Sequence, residues 1–173
     1  MAITDSLQGS VYTKLDFALT RAQSVGGMAG KDNVMVSANQ DFADGTAANQ
    51  ASCWLSSSFT ATVGGVTISL ADSANPLGAA GDDVPTADPE GLKIRAIFVA
   101  NDDTTNYVEL GLGTNKVTSW LEGTTPTVRI PAGGFFVQTF PSGLDTINDG
   151  VDDEIEITAD TDSCTCRITV IYG

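Results

Sequence analysis

The sequence predicts an all-β fold, an antiparallel β-sandwich of jelly-roll type preceded by an extended N-terminal arm. Three observations carry that expectation. Apolar residues alternate with polar ones in several short runs, which is the period of a half-buried strand. Glycine- and proline-containing turns separate the runs at short intervals, as in sandwiches and rolls. Hydrophobic residues make up 42% and charged residues 17% of the 173, and the uncharged remainder is rich in Gly, Ser, Thr, Asn and Ala, which suits turns and strands better than helices.

Met1–Ser10 is polar and unpatterned and reads as an arm that a partner orders. Residues 11–173 read as a single sandwich domain. In Val11–Thr20, Val11, Thr13, Leu15, Phe17 and Leu19 alternate with Tyr12, Lys14, Asp16, Ala18 and Thr20. A strand is expected there, with a helix as the competitor because Leu15 and Leu19 stand four apart. Val34–Ala38 reads as a short strand and Asp41–Gln50 as a polar segment. Ala51–Phe59 brings Trp54 and Leu55. Ala61–Ala71 alternates Val66, Ile68 and Leu70 with Thr67 and Ser69, after a Gly64-Gly65 turn or bulge. Asp72–Gly91 holds Pro76, Pro85 and Pro89 and is a long loop, of the kind that makes contacts or is a tolerated insertion.

Leu92–Ala100 is apolar at nearly every position except Lys93 and Arg95, as in a central strand covered on both faces. Tyr107–Leu112 follows the Asn101-Asp102-Asp103 turn. Thr127–Ile130 and Phe135–Phe140 flank Pro131-Ala132-Gly133-Gly134, a hairpin signal. Glu154–Thr158 places Ile155 and Ile157 inward. Cys164–Tyr172 places Cys164, Cys166, Ile168, Val170 and Tyr172 on one face, and so apolar a strand is expected to be paired inside its sheet.

Charge and composition exclude several function classes. The net charge is −14, from 8 basic and 22 acidic side chains. Nucleic acid and anionic membrane surfaces are not expected as partners, since both are bound through Lys and Arg. No histidine is present, which removes the commonest general base and the usual catalytic zinc ligand. The first thirty residues show no basic start followed by an apolar run, so no signal peptide is expected. No stretch is long and apolar enough to span a membrane as a helix. The three cysteines, Cys53, Cys164 and Cys166, read as free buried thiols; a bridge from Cys53 to one of the other two is the alternative.

Candidate chemistry is sparse, and no enzymatic activity or cofactor is expected. The acidic segment Asp145–Glu154 and the nearby Glu156 offer Asp145, Asp149, Asp153 and Glu156 as a weak calcium set. Ile147 departs from the EF-hand pattern and no helices are expected to flank it, so a solvated turn is the plainer reading. No G-x-S-x-G elbow occurs. The neighbouring carboxylates Asp82–Asp83 and Asp102–Asp103 sit in turns, poorly placed to flank a glycosidic bond. Trp54 and Trp120 could stack on a sugar, though tryptophans more often anchor cores and interfaces.

Asp44-Gly45-Thr46-Ala47-Ala48-Asn49-Gln50-Ala51, followed by Trp54, resembles an element of a group of tailed-bacteriophage virion proteins in which a similar polar stretch precedes a tryptophan. Leu92–Val99 followed by Asn101 is similar to that group's central strand and turn. Tyr107–Gly111 is similar to its next strand, Pro131–Gly134 to its hairpin and Arg167–Ile171 to its closing strand. The resemblance covers most of the chain from about Val11 onward, and the order of the motifs is more specific than any one of them. It implies a structural virion protein with no catalytic residues. The capsid decoration, or cement, role is the leading expectation: a protein made in the host cytoplasm that sits on the outer surface of the capsid and bridges subunits of the major capsid protein. A homotrimer or other cyclic oligomer would suit it. The expected contacts are Met1, Ala2, Ile3 and Thr4 of the arm, Pro76, Leu77 and Pro85 of the loop at residues 72–91, and Trp54 and Trp120. That loop departs from the group's pattern. A tail, neck or head-fibre component, or a carbohydrate- or receptor-binding module, are the alternatives.

Overall fold

Strand pairing follows from where the alternating segments find partners. The computed structural model describes residues 9–21, 30–71, 89–112, 117, 120–121, 127–148, 151 and 153–173. Among them the regular elements are all strands, numbered here in chain order. They are β1 (Gly9–Arg21), β2 (Gly30–Asp44), β3 (Gln50–Ala51), β4 (Cys53–Ala61), β5 (Val66–Ser69), β6 (Ile94–Asn101), β7 (Val108–Leu112), β8 (Val128–Ile130), β9 (Phe135–Thr139), β10 (Glu154–Ala159) and β11 (Cys164–Tyr172).

Two four-stranded antiparallel sheets make a sandwich-like pair: β5-β10-β7-β8 and β4-β11-β6-β9. The pairs β4–β11, β5–β10, β6–β9 and β7–β8 are nested, first with last. The pairs β6–β11 and β7–β10 complete the two sheets. Inward positions from both sheets are sealed from solvent: Leu55, Ile97, Val99, Ile168 and Val170 from one, Ile68, Leu110, Ile130, Ile155 and Ile157 from the other. Val117, Trp120 and Ile147 join this cluster from the connections. The expected inward sets of Ile155 with Ile157, and of Cys164 through Tyr172, all belong to it. β11 is an interior strand, paired with β4 and β6, which satisfies both of its edges.

The Pro131–Gly134 hairpin signal and the Gly64–Gly65 turn or bulge are here corners between sheets. At Pro131–Gly134 the Gly134 N–H donates to Pro131 O, and Gly133 takes φ +66°. Yet β8 before the turn belongs to one sheet and β9 after it to the other. The reason is the anchoring. Asn101 Nδ2 donates to Ile130 O and Pro131 O, the Asn101 N–H to Gly134 O and the Gly133 N–H to Asp103 O. These bonds hold the corner against the end of β6, so β9 pairs with β6 instead of β8. Gly64–Gly65 does the same between β4 and β5, with Gly65 at φ +83°.

The N-terminal strands differ from expectation in extent. Val11–Thr20 lies in a strand, but that strand begins at Gly9, so the last two residues assigned to the arm are in β1; Met1–Gln8 lie outside the described residues. Val34–Ala38 is the middle of a 15-residue strand, which takes in part of the polar segment as well. Asn and Asp at both ends disfavour a strand locally, and pairing with β1 along its whole length carries them. This third sheet, β1-β2-β3, is a long ribbon plus two residues in parallel register, Gln50–Ala51. At its base Phe42, Ala51 and Val11 pack on Ala96 and Ile171, on the outside of the second sheet.

Candidate interaction surface

The outer face of β4-β11-β6-β9 is built by alternation. Register aligns Trp54 with Ile171, Ala96 and Thr139; the next row aligns Ser56, Thr169, Phe98 and Val137; the third aligns Ser58, Arg167, Ala100 and Phe135. Phe135 and Phe136 are consecutive on a strand, so they face opposite ways. Phe136 packs on the core and Phe135 remains 61% exposed. Phe135 lies 5.9 Å, ring to ring, from Phe98, a diagonal cross-strand pair. Trp54, 36% exposed, stands at the β4 end of the first row. Ser56 and Thr169 share a hydrogen bond of 2.9 Å. Asp102 closes the far end, gripping Arg167 in two charge-assisted bonds of 2.6 and 2.8 Å.

A β-bulge joins this face to the ribbon. Ile171 pairs with Ala96 and Tyr172 with Ile94, so Arg95 is the extra residue. The bulge turns a charged side chain out of a nearly continuous apolar strand without admitting it to the core. Arg95 is 1% exposed. It donates from Nη2 to Thr46 O and Ala47 O, at 2.7 and 3.0 Å, and from Nη1 to Pro141 O at 3.2 Å. Desolvation lowers its pKa; the carbonyls replace water at Nη1 and Nη2, while Nε has no hydrogen-bond partner among the described residues. The Asn49 N–H also donates to Pro141 O, and Gln50 Oε1 accepts from the Ala47 N–H. Gly143, at φ +84°, leaves room beside this cluster; a Cβ there would stand 2.8 Å from Arg95 Nη1. The polar stretch Gly45–Asn49 between β2 and β3 is therefore a turn clasped by a buried guanidinium.

The other outer face is polar. Register on β5-β10-β7-β8 aligns Thr67 with Glu156, and Thr158 with Glu109 and Arg129. Arg129 lies 3.4 Å from Glu109, with its guanidinium carbon 3.9 Å from the Tyr107 ring centroid.

The candidate catalytic and metal groups are occupied by structural roles. The hydrogen bond from Arg167 holds Asp102 below the ordinary carboxylate range. Asp103 Oδ1 accepts from the N–H groups of Asn106 and Thr105, and those bonds lower its pKa too. Both therefore stay ionised at neutral pH and do not form an acid–base pair. Among the calcium candidates, Asp153 is buried and accepts from Ser69 Oγ at 2.7 Å. Glu156 lies beside the Gly65 turn. Asp145 is engaged in an interaction of its own, and Asp149 lies outside the described residues. Among the described residues, no three His, Cys, Asp or Glu groups gather as metal ligands. The three cysteines are buried and none is in a disulfide. Burial raises Cys164 and pushes Cys166 up to about 12, which keeps its thiol protonated and inert.

Of the expected contact residues, Trp54 lies on the open face. Trp120 is 8% exposed, tilted against Phe136, and donates its indole N–H to Gln138 Oε1 at 3.0 Å, so it serves the interior. Met1, Ala2, Ile3, Thr4, Pro76, Leu77 and Pro85 lie outside the described residues. Sequence reasoning missed Phe98, Phe135 and Arg95. The signals were there: two adjacent Phe on one strand, and a lone Arg inside an apolar run.

The fold and this surface define an all-β sandwich-like protein with exposed aromatic side chains, Trp54 and Phe135, on one outer face. No protein-family model matches the chain, and comparison with curated proteins and with solved structures finds no match.

Proposed function

We propose that this protein is a non-enzymatic structural module of a tailed-bacteriophage virion, a capsid decoration protein that binds the outer surface of the shell. The observation that carries the reading is the asymmetry of the sandwich. One outer face presents Trp54, Phe98, Val137 and Phe135 among Ser56, Ser58, Thr169 and Arg167, while the other presents Glu109, Glu156 and Arg129 and no aromatic ring in its aligned rows. An apolar strip on a chain of net charge −14 is the place where another protein can be met with least repulsion and most burial.

The fold is read as a jelly roll. Support comes from the nesting of β4–β11, β5–β10, β6–β9 and β7–β8, the pairing of one long hairpin rolled upon itself. Jelly rolls recur in viral shells and in lectins. The order of motifs along the sequence favours the former. The major capsid protein would be the partner, each copy bridging neighbouring subunits and self-associating in a cyclic assembly, so that many weak contacts hold the shell together. The acidic exterior favours the outside of a DNA-filled particle.

Quantitative mass spectrometry of purified particles tests this. A copy number near one per major capsid subunit, or a simple fraction such as one third, is expected. A few copies per hundred would move the protein to the neck, tail or fibres, and its absence would end the virion reading. Trp54, exposed at the margin of the apolar face, favours a second reading, a carbohydrate-binding module. A glycan array on which Trp54→Ala abolishes a signal would establish that one instead.

A further inference from the structure

The ribbon presents a different problem from the sandwich. β1 and β2 pair over thirteen positions, from Gly9↔Phe42 to Arg21↔Gly30, a span of roughly 40 Å at ~3.4 Å per residue. β2 carries β3 at its end, whereas β1 is the outer strand of its sheet, with no partner on its other side among the described residues. A two-stranded ribbon is marginal in water, and an unpaired edge of this length is a template for another strand.

We propose that the free edge of β1 pairs antiparallel with β1 of a second copy, about a two-fold axis at Leu15, joining two ribbons into one four-stranded sheet. Parity, charge and length point to this register. Leu15 is the midpoint of Gly9–Arg21, so only this axis uses the whole strand. It aligns Val11 with Leu19 and Thr13 with Phe17 of the second copy, positions on one face of the strand that are apolar except for Thr13. It aligns Lys14 with Asp16, and Asp16 with Lys14, so two opposite-charge pairs meet across the axis. Moving the axis by one residue centres it on Lys14 or Asp16 and sets like charges face to face. Across their own ribbon these residues stand opposite Ser37 and Met35, which carry no charge.

The edge of β2 is the poorer site. A two-fold at its midpoint, Ser37, would align Val34 with Gln40 and offer no ion pair, and its end is already joined to β3. The ribbon strands together hold Lys14, Arg21 and Lys31 against Asp16, Asp32, Asp41 and Asp44. That near balance lets two strongly acidic chains approach there. A ladder of this length supplies about a dozen main-chain hydrogen bonds, close to the number in a typical specific interface. The dimer does not depend on the virion reading and stands or falls separately.

Sedimentation equilibrium of the full chain tests it. The wild type is expected to be a dimer. Lys14→Glu and Asp16→Lys alone should each weaken the dimer at least about tenfold, because each sets like charges opposite one another twice. The exchange of both, Lys14→Asp with Asp16→Lys, should restore it. Far-UV circular dichroism confirms that each variant is folded. Oxidation of Leu15→Cys should link two copies, since residue 15 meets itself at the axis within disulfide reach, while Ser37→Cys on β2 should not. A monomer at all concentrations, a trimer, a failed exchange or cross-linking through Ser37→Cys would each overturn the proposal.

Discussion

The two outer faces of the sandwich share strand geometry and differ in what alternation puts outward. On β5-β10-β7-β8 the outward positions are Thr67, Glu156, Thr158, Glu109 and Arg129; on β4-β11-β6-β9 they include Trp54, Ile171, Phe98, Val137 and Phe135. The inner faces of both sheets contribute buried apolar residues to one shared core. Folding alone therefore explains the inner faces and the polar outer face, and leaves the apolar outer face in need of a reason. Part of that reason is internal: Phe42 and Ala51 at the base of the ribbon cover Ala96. Phe135 and Trp54 stay open, and they are the residues that the proposed binding role would use.

The sharpest test compares neighbours that face opposite ways. Ile168 is sealed in the core, and Thr169 beside it faces outward and bonds to Ser56. Ile168→Ala should cost about 3 kcal/mol in urea unfolding, the ordinary cost of a core cavity. Thr169→Ala should cost about 1 kcal/mol or less, one part-exposed hydrogen bond. Equal costs would mean that the outer face is itself an interior.

The clasp at Arg95 comes next in size. Arg95→Met should lose about 2 kcal/mol, because the carbonyls of Thr46 and Ala47 are left without their charged donor. Hydrogen exchange should quicken at Asn49 and Gln50, whose N–H groups close this turn. Gly143→Ala should cost a similar amount: its φ is +84°, and a Cβ would stand 2.7 Å from the Lys93 Cβ. If Arg95→Met leaves exchange in the turn unchanged, the guanidinium is not what ties ribbon to sandwich.

For the faces themselves, Phe135→Ser should lower stability by about 1 kcal/mol, the worth of its contact with Phe98, and should abolish attachment to capsid shells in a pelleting assay. Glu156→Gln, on the opposite face, should leave attachment intact. The reverse pattern would place the partner on the polar side.

Strand identity was largely legible from alternation, and sheet membership was not. Ile155 with Ile157, and Cys164 through Tyr172, declare their inward face by period alone. The turns at Gly64–Gly65 and Pro131–Gly134 announce a reversal by their glycines, but a hairpin and a corner use the same local chemistry. What separates them is non-local, the bonds from Asn101 to Ile130, Pro131 and Gly134. The length of β2 was hidden likewise, because Lys31-Asp32-Asn33 and Asn39-Gln40-Asp41 become strand only opposite β1. Of the candidate surface, Trp54 was legible by type, and Phe135 lay in a strand whose facing depends on the corner before it.

The smallest effect expected is electrostatic and lies at the end of the apolar face. Asp102 is held below the ordinary carboxylate range by Arg167, and Asp103 by the N–H groups of Asn106 and Thr105. Each lowered pKa means that the folded state binds its proton less readily than the unfolded chain. The stability they contribute is therefore complete above the unfolded value near ~3.9 and is lost as pH falls through the lower folded values. Both groups are well solvated, so the contribution is modest. The double variant Asp102→Asn/Asp103→Asn should be slightly less stable than the wild type at neutral pH, and the two urea midpoints should converge between about pH 4 and 2. A gap that persists unchanged to pH 2 would show that the loss comes from the shape of the turn and not from the charges, and would remove Asp102 as the charged boundary of the apolar face.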